Sequence, residues 1–244
     1  MKLSVVMPAY NEEGSIKQTL TTLYQTLQKN NIEHEIFVTN DNSKDQTEHL
    51  LATLQKTIPT LKYETNKGKN GFGYAVRYGL ERCSGDCIAI MMADLSDDPQ
   101  DLVRFYNKMI ETNTDCVFGS RWIKGSKVID YPTTKKIINR IANWIVRKIF
   151  GFKYNDCTNA FKLYKRETIE GLKPFISPHF NLTLELPLKA IVRGYSYVVM
   201  PNSWQNRKTG ESKLKIKEMG SRYFFILMYC LIEKYFSKSD FKKF

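Results

Sequence analysis

Histidine is scarce in this chain. His34, His49 and His179 are its three histidines, and all stand far from the polar motifs in the sequence. The pattern therefore offers no obvious histidine base. Cysteine is equally unhelpful to metal or disulfide chemistry. Cys83, Cys87, Cys116, Cys157 and Cys230 form an odd, scattered set without zinc-ligand spacing, as expected of buried free thiols in a reducing compartment. Long apolar runs are missing too. The longest, Phe224–Ile232, has nine residues, roughly half of what a spanning helix needs. The opening MKLSVVMPAY carries too short an apolar run for a signal peptide. The expectation is a cytoplasmic chain without a membrane span. Acids are outnumbered, 25 Asp and Glu against 37 Lys and Arg, for a net charge of +12. That excess suggests an anionic partner such as nucleic acid, a phosphorylated ligand or an anionic membrane, with a solvated lysine-rich surface as the plain alternative. There is no low-complexity stretch and no internal repeat, and 244 residues allow one large domain or two small ones.

What is present is alternation. Leu3–Met7, residues 34–39, Leu61–Thr65, Asp86–Met92 and Asp115–Gly119 read as strands. Between them Glu12–Lys29, Lys44–Leu54, Gly71–Arg82 and Pro99–Thr112 read as helices. Strand and helix alternating over about 120 residues imply a Rossmann-like α/β fold with a mostly parallel sheet. Such sheets bind ligands beyond the carboxyl ends of their strands. Those ends carry PAYNE (8–12), NDNS (40–43), ADLSDD (93–98) and GSR (119–121), so all four should meet on one edge. After residue 125 the alternation fails. Thr133–Phe150 reads as a helix with Ile137, Ile138, Ile141, Trp144, Ile145 and Ile149 apolar and five basic residues, Lys135, Lys136, Arg140, Arg147 and Lys148. Thr183–Val192 reads as a helix, Tyr195–Met200 as a strand, and Lys215–Phe236 as a last amphipathic helix.

The motifs carry definite chemistry. Tyr10 offers a ring for a base to stack on, and Glu12 accepts hydrogen bonds; helix-starting NEE also suits the helix dipole. Asp41 at a strand end can accept from a base or ribose, or serve a turn. Asp94 leaves a strand where a cation bridging two phosphates would sit, since Mg²⁺ and Mn²⁺ favour oxygen ligands. Asp98, before Pro99, is better read as a helix N-cap. Arg121 and Arg207 have forked donors that match phosphate, and Lys213 lies beyond Gly210 in the polar loop NRKTGESK.

Together these pieces resemble the inverting family-two glycosyltransferases with the type-A fold, and within them the dolichyl-phosphate and polyprenyl-phosphate mannose synthases. PAYNE resembles the family's PTYNE, DNSKDQT its DDGSxDGT, GFGYAVRYGL its GLGxAxxxG, and MADLSDDP its DADLSHxP. GSRW, KKIINRIANW, CTNAFKLYKRE and RKTGESKL match later blocks in order. The resemblance implies donor contacts at Pro8, Tyr10, Glu12, Thr39, Asp41, Ala93, Asp94, Arg121, Arg207 and Lys213. Of these, Asp94, Arg121, Arg207 and Lys213 would act in catalysis. Lys135, Lys136 and Arg140 would face the acceptor or the membrane. Mg²⁺ or Mn²⁺ is the implied cofactor, held by Asp94 with a weaker contribution from Ser96. The family's first metal carboxylate falls on Met92, and the first acid and the glycine of DDGS become Asn40 and Asn42. Either Asp94 holds a cation with the donor pyrophosphate, water and Ser96 or Asp97, or Arg121, Arg207 and Lys213 neutralise the diphosphate alone.

The implied reaction moves a hexose from a nucleoside diphosphate sugar to a polyprenyl phosphate, at the inner face of the cell membrane, by a peripherally bound enzyme. An acceptor phosphate needs no strong base. Transfer to a glycan hydroxyl, the alternative, would need one, with Asp156 or Glu185 as candidates. A nucleotide- or lipid-binding module of weak activity is the other alternative. Residues 1–125 would form the nucleotide-sugar half, 126–214 the acceptor half, and 215–244 a membrane-proximal or oligomer-interface tail. Nucleic acid is not an expected partner, because the basic residues cluster on apolar helices rather than among exposed aromatics.

Overall fold

A computed structural model describes residues 1–207, 216–237 and 240–243, the side chains of 216–219 excepted. The first half alternates as expected: β1 (Leu3–Ala9), α1 (Ile16–Lys29), β2 (His34–Asn40), α2 (Thr47–Gln55), β3 (Leu61–Thr65), α3 (Phe72–Leu80), β4 (Cys87–Ile90), α4 (Pro99–Thr112) and β5 (Cys116–Ser120). The second half contains β6 (Val128–Ile129), α5 (Thr133–Phe150), β7 (Lys162–Lys165), α6 (Arg166–Gly171), α7 (Leu182–Val192), β8 (Tyr197–Pro201), β9 (Trp204–Gln205) and α8 (Ile216–Phe236). Seven strands form one sheet in the order β3-β2-β1-β4-β7-β5-β8, and β6 pairs with β9 alongside. Every pairing in the large sheet is parallel except those of β7, which runs antiparallel to both β4 and β5.

Period-two alternation divides the core. Val5 and Met7 of β1 join Leu20 and Leu23 of α1, Leu51 of α2 and Phe105 of α4 on one face. Val6 joins Val76 of α3, Val146 of α5, Leu186 of α7 and Ile226 of α8 on the other. Gly79 lets α3 lie close on the sheet, because a Cβ there would come within 2.6 Å of Val6 Cγ1. All five cysteines are buried free thiols.

Several boundaries differ from expectation for local reasons. Residues 12–15 make a turn closed by Ser15 N and Ile16 N on the Glu12 carbonyl, so α1 starts four residues late. Helix α2 starts three residues later than Lys44, where Asp45 takes Thr47 N, while the Ser43 hydroxyl accepts from Asn11 N. Asp98 is the N-cap of α4, as read, accepting from Gln100 N. Strand β7 escaped sequence reading because a lysine interrupts its apolar run. The Lys162 ammonium is buried beneath the sheet edge, donating to the carbonyls of Cys157 and Thr183 at 3.1 and 3.2 Å and to that of Asn159. Burial pulls its pKa down to about 7.

Helix α5 turns only Asn143, Val146 and Phe150 inward. Ile137, Ile138, Ile141, Trp144, Ile145 and Ile149 face outward, joined by Phe224, Phe225, Met228 and Ile232 of α8. The expected apolar stripe is therefore not core. No helix among the described residues is long and apolar enough to cross a membrane.

Candidate functional site

The strand ends meet on one edge, and two cavities open there. The first, about 360 Å³, is lined by Pro8 at the end of β1, Tyr10 and Glu12 just beyond it, Asp41 after β2, and Asn70 to Phe72 at the start of α3. Met92, His179, Phe180, Arg207 and Arg222 line it too, with Ala9 and Ala75. The loops that build it are tied to each other. Asn11, at φ 53°, takes Lys44 N on its side chain at 2.7 Å, and Glu12 N donates to Thr47 Oγ1 at 2.8 Å. Asp41 accepts from Asn66 Nδ2 at 2.9 Å and Gly71 N at 2.7 Å. Burial raises its pKa despite those two donors. Gly73 admits the loop 177–178, whose backbone a Cβ would strike. That loop delivers Phe180 onto Phe72, with ring centroids 4.4 Å apart.

The second cavity, about 490 Å³, runs between α5 and α8. Its walls are apolar: Ile138, Ala142, Ile145 and Val146 on one side, Tyr223, Phe224 and Leu227 on the other. Asp94, Ser96, Asp97, Arg121 and Lys135 add polar groups to its lining. Met92, Phe180 and Arg207 line both cavities and so mark their junction.

The junction is an ionic cluster. Arg207 Nη2 donates to Asp94 Oδ2 at 2.6 Å, and its Nη1 lies 3.5 Å from Glu12 Oε1. Asp94 Oδ1 accepts from Ser96 N at 3.1 Å. Leu95 between them sits at φ 63°, a strained backbone for a branched residue. Asp97 Oδ2 accepts from Met92 N at 3.1 Å. Burial, with the nearby Asp94 charge, pushes Asp97 up to about 7.

Other expected site residues are placed differently. Arg121 is buried in a two-pronged pair with Asp156, at 2.8 and 2.7 Å, and reaches only the second cavity. Burial opposes its charge, but Asp156 outweighs this and holds the guanidinium above its usual pKa. Thr39 and Ala93 line neither cavity. Thr39 is buried against the Gly79 side of α3, and the Ala93 carbonyl accepts from Ser15 and Thr19 hydroxyls. Asp156 and Glu185 are no free bases. Asp156 holds Arg121, while Glu185 accepts from Ile176 N, Ser177 N and Lys189 Nζ. Lys136 and Arg140 lie 5.6 and 5.7 Å from the Trp122 ring rather than inside the cavity. Lys213 lies outside the described residues. His179, read as remote, lines the first cavity beside Asp41. Neither it nor Arg222 sits in a motif, so only the folded chain reveals them.

The site does not fit a divalent metal well. Met92 presents a thioether, a poor ligand for a hard cation. Asp94 already holds Arg207. Among the described residues no three His, Cys, Asp or Glu side chains are grouped to hold a metal ion.

The profile described as Glycosyl transferase family 2 matches residues 4–172. The chain belongs to that family. A dolichol-phosphate mannosyltransferase of Pyrococcus furiosus is 32% identical over 223 residues, 89% of this chain. The chain spans 60% of that relative's length. An undecaprenyl-phosphate mannosyltransferase of Micrococcus luteus is 28% identical over 220 residues, covering 88% of each protein. Glucosyl-3-phosphoglycerate synthase of Mycobacterium tuberculosis, solved with uridine diphosphate, superposes with a TM-score of 0.71 at 17% identity over 94% of this chain and 80% of that one. The same synthase solved with Mn²⁺, uridine diphosphate and phosphoglyceric acid gives 0.70 at 18% identity, covering 94% and 78%. The family-two type-A fold expected from the motif blocks is the fold found.

Proposed function

We propose that this family-two protein transfers a hexose from a nucleoside diphosphate sugar to a polyprenyl phosphate at a membrane surface, inverting the anomeric carbon. The observation that carries this reading is the meeting of two unlike cavities at Met92, Phe180 and Arg207. The first, which mixes charged and apolar groups, suits a nucleotide: Tyr10 offers a ring face, and Asp41 and Glu12 offer acceptors. The second, mainly apolar, suits an isoprenoid chain, with Arg121 and Lys135 in its lining for a phosphate. The names of the two mannosyltransferase relatives support the same acceptor class.

The chemistry then asks little of a base. The acceptor phosphate oxygen is already anionic and bonds to the anomeric carbon as the bond to the diphosphate oxygen breaks. The electron pair leaves with the diphosphate, and Arg207, held by Asp94, meets the growing charge. A single displacement inverts the centre. Positioning across the junction supplies much of the remaining acceleration. Transfer to a glycan hydroxyl is less well supported, because both candidate bases are committed to buried pairs.

The outward apolar rows of α5 and α8, with Lys135, Lys136, Arg140 and Lys148 beside them, support peripheral binding at the anionic inner leaflet. Residues 1–125 would carry the donor half, 126–214 the acceptor half, and the tail the membrane contact.

Incubation with labelled UDP- and GDP-hexoses and vesicles containing polyprenyl phosphate tests the proposal. A lipid-extractable hexosyl phosphate of inverted anomeric configuration is expected. Product only on soluble sugar acceptors would sink the lipid reading.

A further inference from the structure

We propose that the guanidinium groups of Arg207 and Arg222, rather than a divalent cation, hold the donor diphosphate. The inference rests on the donor reading above and goes beyond it in naming what replaces the metal. Met92 removes one carboxylate from the end of β4, where a cation would otherwise be drawn. At that end Arg207 lies across Asp94 at 2.6 Å, with Glu12 at 3.5 Å. A guanidinium carries five N–H donors in one plane, and a carboxylate that orients it fixes a geometry that matches two phosphate oxygens. Arg222 adds a second guanidinium to the same cavity. It sits on α8, outside the family-matched residues 4–172, yet it lines the same cavity as Arg207, Met92 and Glu12. Helix α8 therefore serves both cavities: Arg222 reaches the first, while Tyr223, Phe224 and Leu227 wall the second. Its seat is fixed from behind by the buried pair of Arg193 with Glu233, at 2.7 and 2.9 Å.

Calorimetric titration of the full chain with uridine and guanosine diphosphates, in EDTA and in Mn²⁺, tests this, with uridine and guanosine as controls. The preferred diphosphate should bind in EDTA with an affinity close to that in Mn²⁺. Arg222→Ala should weaken the diphosphate about ten- to a hundredfold, the effect of losing a charge-assisted contact. Binding of the matching nucleoside should be unchanged, which also shows that the variant folds. Arg222→Lys should recover part of the loss. Met92→Asp should acquire an Mn²⁺-dependent gain in diphosphate affinity that the wild type lacks. Diphosphate binding that requires Mn²⁺ in the wild type overturns the proposal, as does unchanged diphosphate affinity in Arg222→Ala. If neither diphosphate binds in any buffer, the donor reading itself falls, and this inference with it.

Discussion

Arg121 and Asp156 form a closed, two-pronged ion pair, at 2.8 and 2.7 Å, and Asp156 also accepts from the Arg121 backbone N at 2.9 Å. The pair clamps the end of β5 to the segment before β7, and its arginine lines the second cavity. Removing one partner of such a pair leaves a buried charge unmatched, which costs roughly 3–5 kcal/mol. Asp156→Ala should therefore lower the unfolding free energy by about that amount in a urea titration. A loss below about 1 kcal/mol would mean that the guanidinium finds water or another partner.

Asp97 should make stability depend on pH. Its folded pKa is pushed up to about 7, whereas an unfolded aspartate titrates near about 4. Between those values the folded chain holds a proton that the unfolded chain has released. The contribution is present below about pH 4 and lost as pH rises through 7. Asp97→Asn keeps an acceptor for Met92 N and carries no proton to lose. Relative to wild type, it should match at pH 4 and be more stable at pH 8, by up to about 4 kcal/mol. Denaturant melts at the two pH values check the sign.

Much of this site was legible because strand ends are periodic features. The turn residues after β1, β2, β4 and β5 stand where the apolar runs stop, and parallel topology gathers them. What was not legible depends on side-chain direction and on distant partners. Thr39 belongs to the right strand end, but its side chain points to α3. Ala93 adjoins Asp94, yet its carbonyl is spent on Ser15 and Thr19. Arg121 meets a carboxylate 35 residues away, a pairing no local pattern announces. His179 and Arg222 arrive on a loop and a helix that come near the motifs only through packing. Strand β7 was hidden by its buried lysine.

The outward face of α5 should bind anionic membranes. Ile141 and Trp144 are 55% and 57% exposed, next to Arg140 and Lys148. Flotation with acidic liposomes should recover the wild type at low salt. Ile141→Glu and Trp144→Glu should each reduce recovery severalfold without changing the melting temperature. Raising salt to about 1 M, where the Debye length falls to roughly 3 Å, should weaken binding as well. Recovery indifferent to both the substitutions and salt would point to a different contact surface.

Ala142 tests whether the two cavities act separately. It lies on α5, in the wall of the second cavity, opposite the α8 side chains Tyr223 and Leu227. It takes no part in the first cavity. A tryptophan there would add a bulky ring to a space of about 490 Å³ and obstruct the path between the two helices. Because that wall opens to the surface, the ring can enter without the strain of overfilling a closed core. Ala142→Trp should therefore raise the KM for a long polyprenyl phosphate by about an order of magnitude or more, as expected when apolar burial worth roughly 1.5–3 kcal/mol is denied. Nucleoside diphosphate affinity, measured by calorimetry, should stay at the wild-type value. A short-chain prenyl phosphate, which needs less of the groove, should be penalised less than a long one. Equal loss of donor and acceptor binding would show that the cavities are coupled through α8. An unchanged KM for the long lipid would place the chain elsewhere on the protein.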